Sequence, residues 1–392
     1  MRVLLVASRF PLPPWRGNQL RTLQWLDALA DDDRLLLCPP GGGASGDAGV
    51  GADTVALPRG LLGSGAGLAA AVLGGRPAQE GIYVSGAARR RVVDALAEWR
   101  PDVAVVQMVR CAWAADEIHR VRPGLPLLFD AIDSMTLHYR RAAESTHPLL
   151  RPAYRIEAER CSRREGELVR RAAVTTAVSR RDLDALAPGA RGRVVPVAAG
   201  SAATAGSVSE RPPVILLSGN LGYRPTVRAA LWFADRVWPG LRDRVPGARW
   251  VLAGARPAAA VRRLASRPGV EVLGDLPDLA DQLARVRVTI APMASGSGVA
   301  IKILEGMAAA VPVVADPWSA AGLEEPSAVA VAEDADAWVR VLERVLIEPR
   351  AARDLAERGH ASWQRHYAPA VVAGRIRDAV VVAGSGDSTQ TA

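Results

Sequence analysis

Lysine is almost absent from this chain of 392 residues: of 49 basic residues only Lys302 is a lysine, and the rest are arginines. Cysteine is nearly as scarce. Cys38, Cys111 and Cys161 are odd in number and far apart, which excludes a disulfide framework, and no CxxC or Cys/His cluster suggests zinc. No apolar run approaches the roughly 18 residues of a membrane-spanning helix, so no transmembrane segment is expected. The opening residues MRVLLVASRF read as a strand and not as a secretory leader, because the apolar run is short and no small-residue cleavage site follows. A reducing, cytoplasmic setting is expected. Aromatic residues make up 5% of the chain and do not alternate with the arginines, so the stacking surface of a nucleic-acid binder is missing.

What is present is an ordinary globular balance, 49% hydrophobic and 23% charged. At roughly 150 residues per domain the length suggests two domains, with three as the alternative. The net charge of +8 raises the question of nucleic acid. The arginines, however, are interspersed with glutamates, as in Arg155–Arg171 (RIEAERCSRREGELVRR), which reads as a solvated helix face. No nucleic-acid partner is expected. Anionic nucleotides, or peripheral contact with lipid headgroups at the inner membrane face, remain compatible with the charge. The wealth of Ala, Gly, Val and Arg suits a GC-rich genome. That pressure explains the arginines but not the retained lysine. Its survival is chance, or position 302 requires a compact ammonium that a planar guanidinium cannot replace.

Short apolar segments alternate with amphipathic ones. Strands are predicted at Arg2–Ala7, Arg34–Cys38, Asp102–Met108, Pro126–Asp130, Ala173–Val178 and Arg193–Ala198, with helices at Asn18–Leu29, Gly86–Trp99 and Pro152–Arg171. Residues 41–67 are too rich in Gly and Ala for any assignment. Gly200–Pro213 (GSAATAGSVSERPP) reads as a linker. The pattern then restarts, with strands at Val214–Ser218, Trp250–Ala253, Val270–Leu273, Val286–Ala291, Pro312–Ala315 and Ala328–Val331. Helices are predicted at Val227–Leu241, Ala258–Leu264, Asp278–Ala284, Val299–Ala309 and Asp334–Ile347. This is the signature of an α/β protein with parallel sheets covered on both faces.

Chemistry concentrates in Ser295–Glu305 (SGSGVAIKILE), between the apolar strand VTIAP and a helix. Gly296 and Gly298 leave the backbone bare, so amides at the helix start can approach an anion. Lys302 lies about one turn into that helix, and Glu305 follows three residues later on the same face. A cation beside a helix N-terminus suits a diphosphate, and a carboxylate one turn on suits ribose hydroxyls. Spacing alone leaves a second reading open, a glycine turn followed by a surface Lys/Glu pair. Asp130 and Asp133 (FDAIDS) end an apolar strand, where they orient an acceptor hydroxyl or cap the next helix with Ser134. His138 is the histidine best placed for an active-site role.

The segments SGNLGYRPTV, PGARWVLAG, PGVEVLGDLPDLADQLARVRVTIAP, GSGVAIKILEGMAAAVPVVAD and AGLE occur in order between Gly219 and Glu324. They resemble the C-terminal half of GT-B glycosyltransferases of family 4, the glycosyl transferases group 1. RFPLPPWRGNQLRTL and FDAIDS resemble the N-terminal half more loosely. The resemblance implies two Rossmann-like domains facing across a cleft. Residues 1–205 would bind the acceptor and 206–365 the nucleotide sugar. Residues 366–383 would form a helix packing back on the N-terminal domain, and 384–392 a disordered tail.

The resemblance further implies a retaining transfer from a nucleotide-diphosphate sugar (UDP, GDP or dTDP) to a hydroxyl of a small-molecule, lipid-linked or glycan acceptor, without a required metal. Natural-product or cell-envelope chemistry is the expected setting. In the resemblance Lys302 contacts the donor phosphates, Glu305 holds the ribose, and Gly296, Ser297 and Gly298 form the loop under the donor. Gly219 and Arg224 fall near a second phosphate position. Gly17 and Asn18 open the first helix near the reacting sugar, where Asn18 can also cap that helix. Arg16 and Arg21 are candidates for donor phosphates or an acidic acceptor. Two departures stand out: Ser297 occupies a position where many members carry glutamate, and Ala300 one where a subset carries arginine. Catalysis is expected to be electrostatic, through Lys302 and the helix N-terminus on the leaving diphosphate, with domain closure excluding water. A nucleotide-sugar epimerase and a non-catalytic nucleotide-sugar-binding homologue are the alternatives.

Overall fold

The computed structural model describes residues 1–14, 16–40, 50–58, 61–186, 192–200, 208–276, 279–293 and 298–385. The chain forms two compact units, one made of Met1–Val197 with the segment from Val372 onward, the other of Ala198–Val371.

In the first unit the order is β1 (Arg2–Val6), α1 (Gly17–Ala28), β2 (Asp33–Cys38), β3 (Asp53–Ala56), α2 (Leu61–Leu73), α3 (Ala78–Tyr83), α4 (Gly86–Glu98) and β4 (Val103–Gln107). It continues through α5 (Ala112–Val121), β5 (Leu127–Ile132), α6 (Met135–Ser145), α7 (Arg151–Arg171), β6 (Val174–Ala177), α8 (Arg180–Leu186) and β7 (Gly192–Val194). The seven strands form one parallel sheet in the order β3-β2-β1-β4-β5-β6-β7. Val3, Leu4, Leu5 and Val6 are all buried, as are all residues of β4 and β5. That explains why these strands read as unbroken apolar runs without alternation.

The second unit runs β8 (Val214–Ser218), α9 (Arg224–Arg236), α10 (Trp238–Arg244), β9 (Arg249–Gly254), α11 (Ala259–Arg262), β10 (Val270–Gly274), α12 (Ala280–Arg285) and β11 (Val288–Ala291). Then follow α13 (Ile301–Ala308), β12 (Val313–Ala315), α14 (Pro317–Ala320), β13 (Ala330–Val331), α15 (Ala335–Ile347) and α16 (Pro349–His366). Its parallel sheet has the order β10-β9-β8-β11-β12-β13. An aromatic cluster fills one face: Phe233 lies 4.8 Å from Trp250 and 6.0 Å from Trp338, centroid to centroid. The last helix, α17 (Pro369–Ser385), returns to the first unit. There Arg377 donates to the Ala28 carbonyl at 3.2 Å, and Gly384 packs against Met1 and Val103.

Several predicted boundaries are corrected by proline. The helix expected over Val227–Leu241 breaks at Val237 into α9 and α10, because Pro239 has no N–H and its ring crowds the preceding turn. The strand expected over Arg193–Ala198 stops at Val194, ahead of Pro196. The Gly/Ala-rich stretch yields β3 and the start of α2, with 41–49 and 59–60 outside the described residues. Gly384 and Ser385, expected in a tail, end α17; 386–392 and the linker residues 201–207 lie outside the described residues.

Candidate functional site

In the second unit the strand order reverses between β8 and β11, and ligands of open parallel sheets bind at the carboxyl ends of strands at such a point. Lys302, on α13 just after β11, reaches back to the end of β8. A Cβ built on Gly219 would lie 3.6 Å from its Nζ, so the lysine occupies the space that a side chain at 219 would point into. Gly219 has φ +117, a conformation that L side chains rarely adopt. The loop is fixed from the other side by Gly254: a Cβ there would fall 1.8 Å from the Gly219 carbonyl oxygen. Leu221 N–H donates to the Ala255 carbonyl at 2.8 Å, stitching the loops after β8 and β9 together.

The Lys302 ammonium approaches the thioether of Met293 at 3.8 Å, and among the described residues no carboxylate lies within ion-pair distance of it. Dense packing around Nζ lowers its pKa below the usual lysine value, and the nearby charge of Glu305 opposes that shift. One turn along α13, Glu305 accepts a hydrogen bond from Ser218 Oγ at 3.3 Å. Helix α13 begins after Ala300, which supplies no side-chain cap to its first amides. Gly306 lets the helix lie close on the sheet: a Cβ there would be 2.5 Å from Thr289 Oγ1 and 2.9 Å from Val313 Cγ2. Gly298 has φ +71, while Gly296 and Ser297 lie outside the described residues. Arg224 is exposed at the first position of α9 with no ion pair among the described residues. A separate cavity of about 190 Å³ opens beside α9, lined by Arg228, Trp232, Pro292 and Glu333 among others, and does not include Lys302 or Glu305.

In the first unit the structure separates two aspartates that the sequence treated alike. Asp130 is fully buried with both oxygens occupied. Arg21 donates to it from Nε at 3.1 Å and Nη2 at 2.9 Å, Gln107 Nε2 at 3.0 Å and Thr176 Oγ1 at 2.7 Å. Asp130 is therefore corrected from an acceptor-binding group to the hub that ties α1 to β4, β5 and β6. Arg21, fully buried and also bonded to the Pro196 carbonyl, cannot meet a phosphate. Asp133, past a bulge in β5, is half-buried, and its charge acts on His138 and Asp182. Ser134 caps α6, accepting from Leu137 N–H at 3.2 Å, and Glu165 accepts from the N–H groups of Met135 and Thr136 at 2.7 and 3.3 Å. His138 sits in the first turn of α6. Burial lowers its pKa, Asp133 opposes, and Arg110 adds to the lowering. Asn18 does not cap α1. It is the second residue of the helix, the cap position is Arg16, and its Nδ2 approaches Ser8 Oγ at 3.5 Å. Gly17 opens the helix and is half-buried.

Sequence reasoning missed Ser218, which ends the apolar strand β8, and that position was the available signal. The backbone at the carboxyl edge of the first sheet is unusual: Met108 and Ile132, neither a glycine, both have φ 62. Such strain costs about 1–3 kcal/mol each and gathers at functional sites. Among the described residues no three His, Cys, Asp or Glu side chains gather as a metal site, and no helix is long and apolar enough to cross a membrane.

Residues 212–348 match the family of glycosyl transferases group 1. A sucrose-phosphate synthase from Thermosynechococcus elongatus is 15% identical at a TM-score of 0.72, the likeness covering 97% of this chain and 98% of that one. The Anabaena protein HepE, solved with UDP and glucose, is 13% identical at a TM-score of 0.65, over 97% of this chain and 99% of its own. The trehalose-6-phosphate synthase OtsA is 13% identical at a TM-score of 0.66, covering 100% of both chains. No curated protein sequence matches the chain. Likeness at these identities establishes the fold, two Rossmann-like parallel-sheet domains of the GT-B class.

Proposed function

We propose that this glycosyltransferase moves a sugar, with retention of configuration, from a nucleotide-diphosphate donor to a hydroxyl of an acceptor. One observation carries the reading. A single ammonium is held at the carboxyl ends of β8 and β11 with no carboxylate in ion-pair contact among the described residues, one turn from a carboxylate that a serine hydroxyl orients. An ammonium so placed suits an anion, and a diphosphate beside the start of α13 supplies one. Glu305 is then placed for the ribose hydroxyls, and Arg224 for a second phosphate contact. The second unit is read as the donor domain and the first as the acceptor domain. HepE was solved with UDP and glucose, which favours UDP over GDP or dTDP as the donor nucleotide.

As the glycosidic bond to the diphosphate lengthens, Lys302 and the α13 amides meet the growing negative charge. Interactions of this kind are worth roughly 3–4 kcal/mol when they act in the transition state. Gly17, Asn18, Asp133 and His138 are read as groups near the reacting sugar and acceptor, with His138, neutral at physiological pH, able to accept a proton. No enzyme nucleophile and no metal are invoked. A natural-product or cell-envelope acceptor, met in the cytoplasm or at the inner membrane face, completes the reading.

Melting curves with UDP, GDP, dTDP and ADP, on the wild type and on Lys302→Ala, test the donor site. A ligand at about 100 times its Kd stabilises by about 2.7 kcal/mol, and that rise should vanish in the variant. The unliganded melting points of the two proteins should agree within a few degrees. No rise with any nucleotide would remove the donor reading. Retention is tested separately by the anomeric configuration of the released sugar.

A further inference from the structure

Three neighbouring strands of the second unit each deliver a side chain to the cavity beside α9. Pro292 directly follows β11, Asp316 directly follows β12, and Glu333 lies two residues past β13. Ligands of open parallel sheets bind at these carboxyl ends. The facing wall is α9, where Arg228 and Trp232 stand one turn apart on the same face. Trp338 of α15, itself buried, completes the enclosure. All of the lining belongs to the second unit.

The shape is a corner. Trp232 is 36% exposed, and its ring meets that of Trp338 at 73° with the centroids 6.3 Å apart. A flat base stacks best in a slot between parallel planes. A corner suits a thicker ring that lays one face on an indole and turns its edge to the other wall. At about 190 Å³ the cavity is smaller than the roughly 300–1,000 Å³ of a drug-sized site, so it holds a single ring.

The charges sort the ligands. Arg228 and Glu333, both exposed, have no hydrogen bond or ion pair among the described residues. Asp316 is buried and accepts from Trp318 N–H at 2.9 Å, Ser319 N–H at 3.1 Å and Ser319 Oγ at 2.7 Å. A carboxylate has about four acceptor sites, so one is left for a ligand. Two carboxylates repel a phosphate, and a guanidinium opposes an ammonium. An apolar ring would desolvate all three charges and pair none of them. A neutral polyol answers both signs, because each hydroxyl donates and accepts. A pyranose has such hydroxyls at its rim and C–H groups on its faces for the indole.

We propose that this cavity is a carbohydrate-binding site, separate from the donor site, that seats one neutral pyranose. The pyranose is a free monosaccharide or one unit of a glycan. The site stands whether or not Lys302 meets a diphosphate.

Ligand-observed NMR on the full chain tests it, with glucose, galactose, mannose and N-acetylglucosamine each at roughly 10 mM, since so few atoms reach only about millimolar affinity. UDP is present at saturation, and Lys302→Ala is run in parallel without it. At least one sugar should bind, and equally well in Lys302→Ala. If UDP does not bind the wild type, the donor reading has failed, and the sugar titrations still judge the cavity. In Trp232→Ala sugar affinity should fall by about tenfold or more, with UDP affinity unchanged, and Trp232→Phe should recover part of it. The surface variants Arg228→Ala and Glu333→Gln should each weaken it by about threefold to tenfold, and they decide the matter if Trp232→Ala does not fold. Maltotriose binding more tightly than glucose supports a glycan unit, and the reverse order supports a free sugar. Four results overturn the proposal: no sugar binds, binding is lost in Lys302→Ala, binding is equal to wild type in Trp232→Ala or in both surface variants, or indole, choline or inorganic phosphate binds more tightly than every sugar.

Discussion

Arg21 and Asp130 exchange two charge-assisted hydrogen bonds with neither side chain exposed to water. Desolvating both charges is costly, and the attraction offsets that cost only while both partners stay and their remaining groups are bonded, as Gln107, Thr176 and the Pro196 carbonyl ensure here. Removing one partner strands the other. Asp130→Ala is expected to lose about 3–5 kcal/mol, a fall of roughly 10 °C in the melting point of the first unit. Calorimetry on the variant checks this, and a loss under about 1 kcal/mol would show that water reaches Arg21. FDAIDS shows what such a motif does not disclose. Alternation along a strand separates inward from outward residues only when the strand is regular, and a bulge between Asp130 and Ile132 resets the pattern before Asp133.

At the scale of elements, α13, on which the proposed donor site is built, lies close to β11 and β12. Gly306→Ala puts a methyl 2.5 Å from the buried Thr289 hydroxyl, so the helix must shift. Overpacking of this kind costs about 1–3 kcal/mol. The variant should also bind the donor nucleotide several-fold more weakly, since Lys302 and Glu305 move with the helix. Parallel measurement of melting point and nucleotide Kd checks both, and an unchanged Kd would show that the helix yields without displacing Lys302. Much of this architecture is legible in the sequence. Buried parallel strands declare themselves as short apolar runs, and Val214–Ser218 is found to the residue. Lys302 and Glu305 are legible because they share one helix. One thing is not. The role of Gly219 as the surface against which the lysine lies depends on a loop distant in sequence from α13.

For the molecule as a whole, acid acts on a mixed set of carboxyls: the first unit holds lowered ones, Asp116 and Glu117, beside strongly raised ones. In the first unit burial pushes Glu165 up to about 7 and Asp182 up to about 6, against hydrogen bonds that pull both down. A carboxyl whose folded pKa is raised binds its proton more tightly when folded. Its contribution is complete below the unfolded pKa, near 4, and is lost as pH rises toward 7, by roughly 3 kcal/mol for a shift the size of that on Glu165. His138 works the other way over part of this range, against four carboxyls that burial raises in this unit, Glu80, Glu157, Glu165 and Asp182. In the second unit hydrogen bonds from Arg365 and His366 hold Glu325 down near about 2, so its contribution is present above the usual carboxylate pKa and disappears as pH falls toward 2. Scanning calorimetry should show the first unit melting lower at pH 7.5 than at pH 5, with a smaller difference in Glu165→Gln. A first-unit transition that rises over that interval would contradict the assignment.

The return of α17 to the first unit also sets an order of manufacture. Val372, Ile376, Ala379, Val380 and Ala383 are buried there, so that unit cannot be completed until the far end of the chain has left the ribosome. The second unit, continuous from Ala198 to Val371, is finished earlier. The half translated first is therefore completed last, and its early sheet waits with an apolar flank uncovered while the other half is being made.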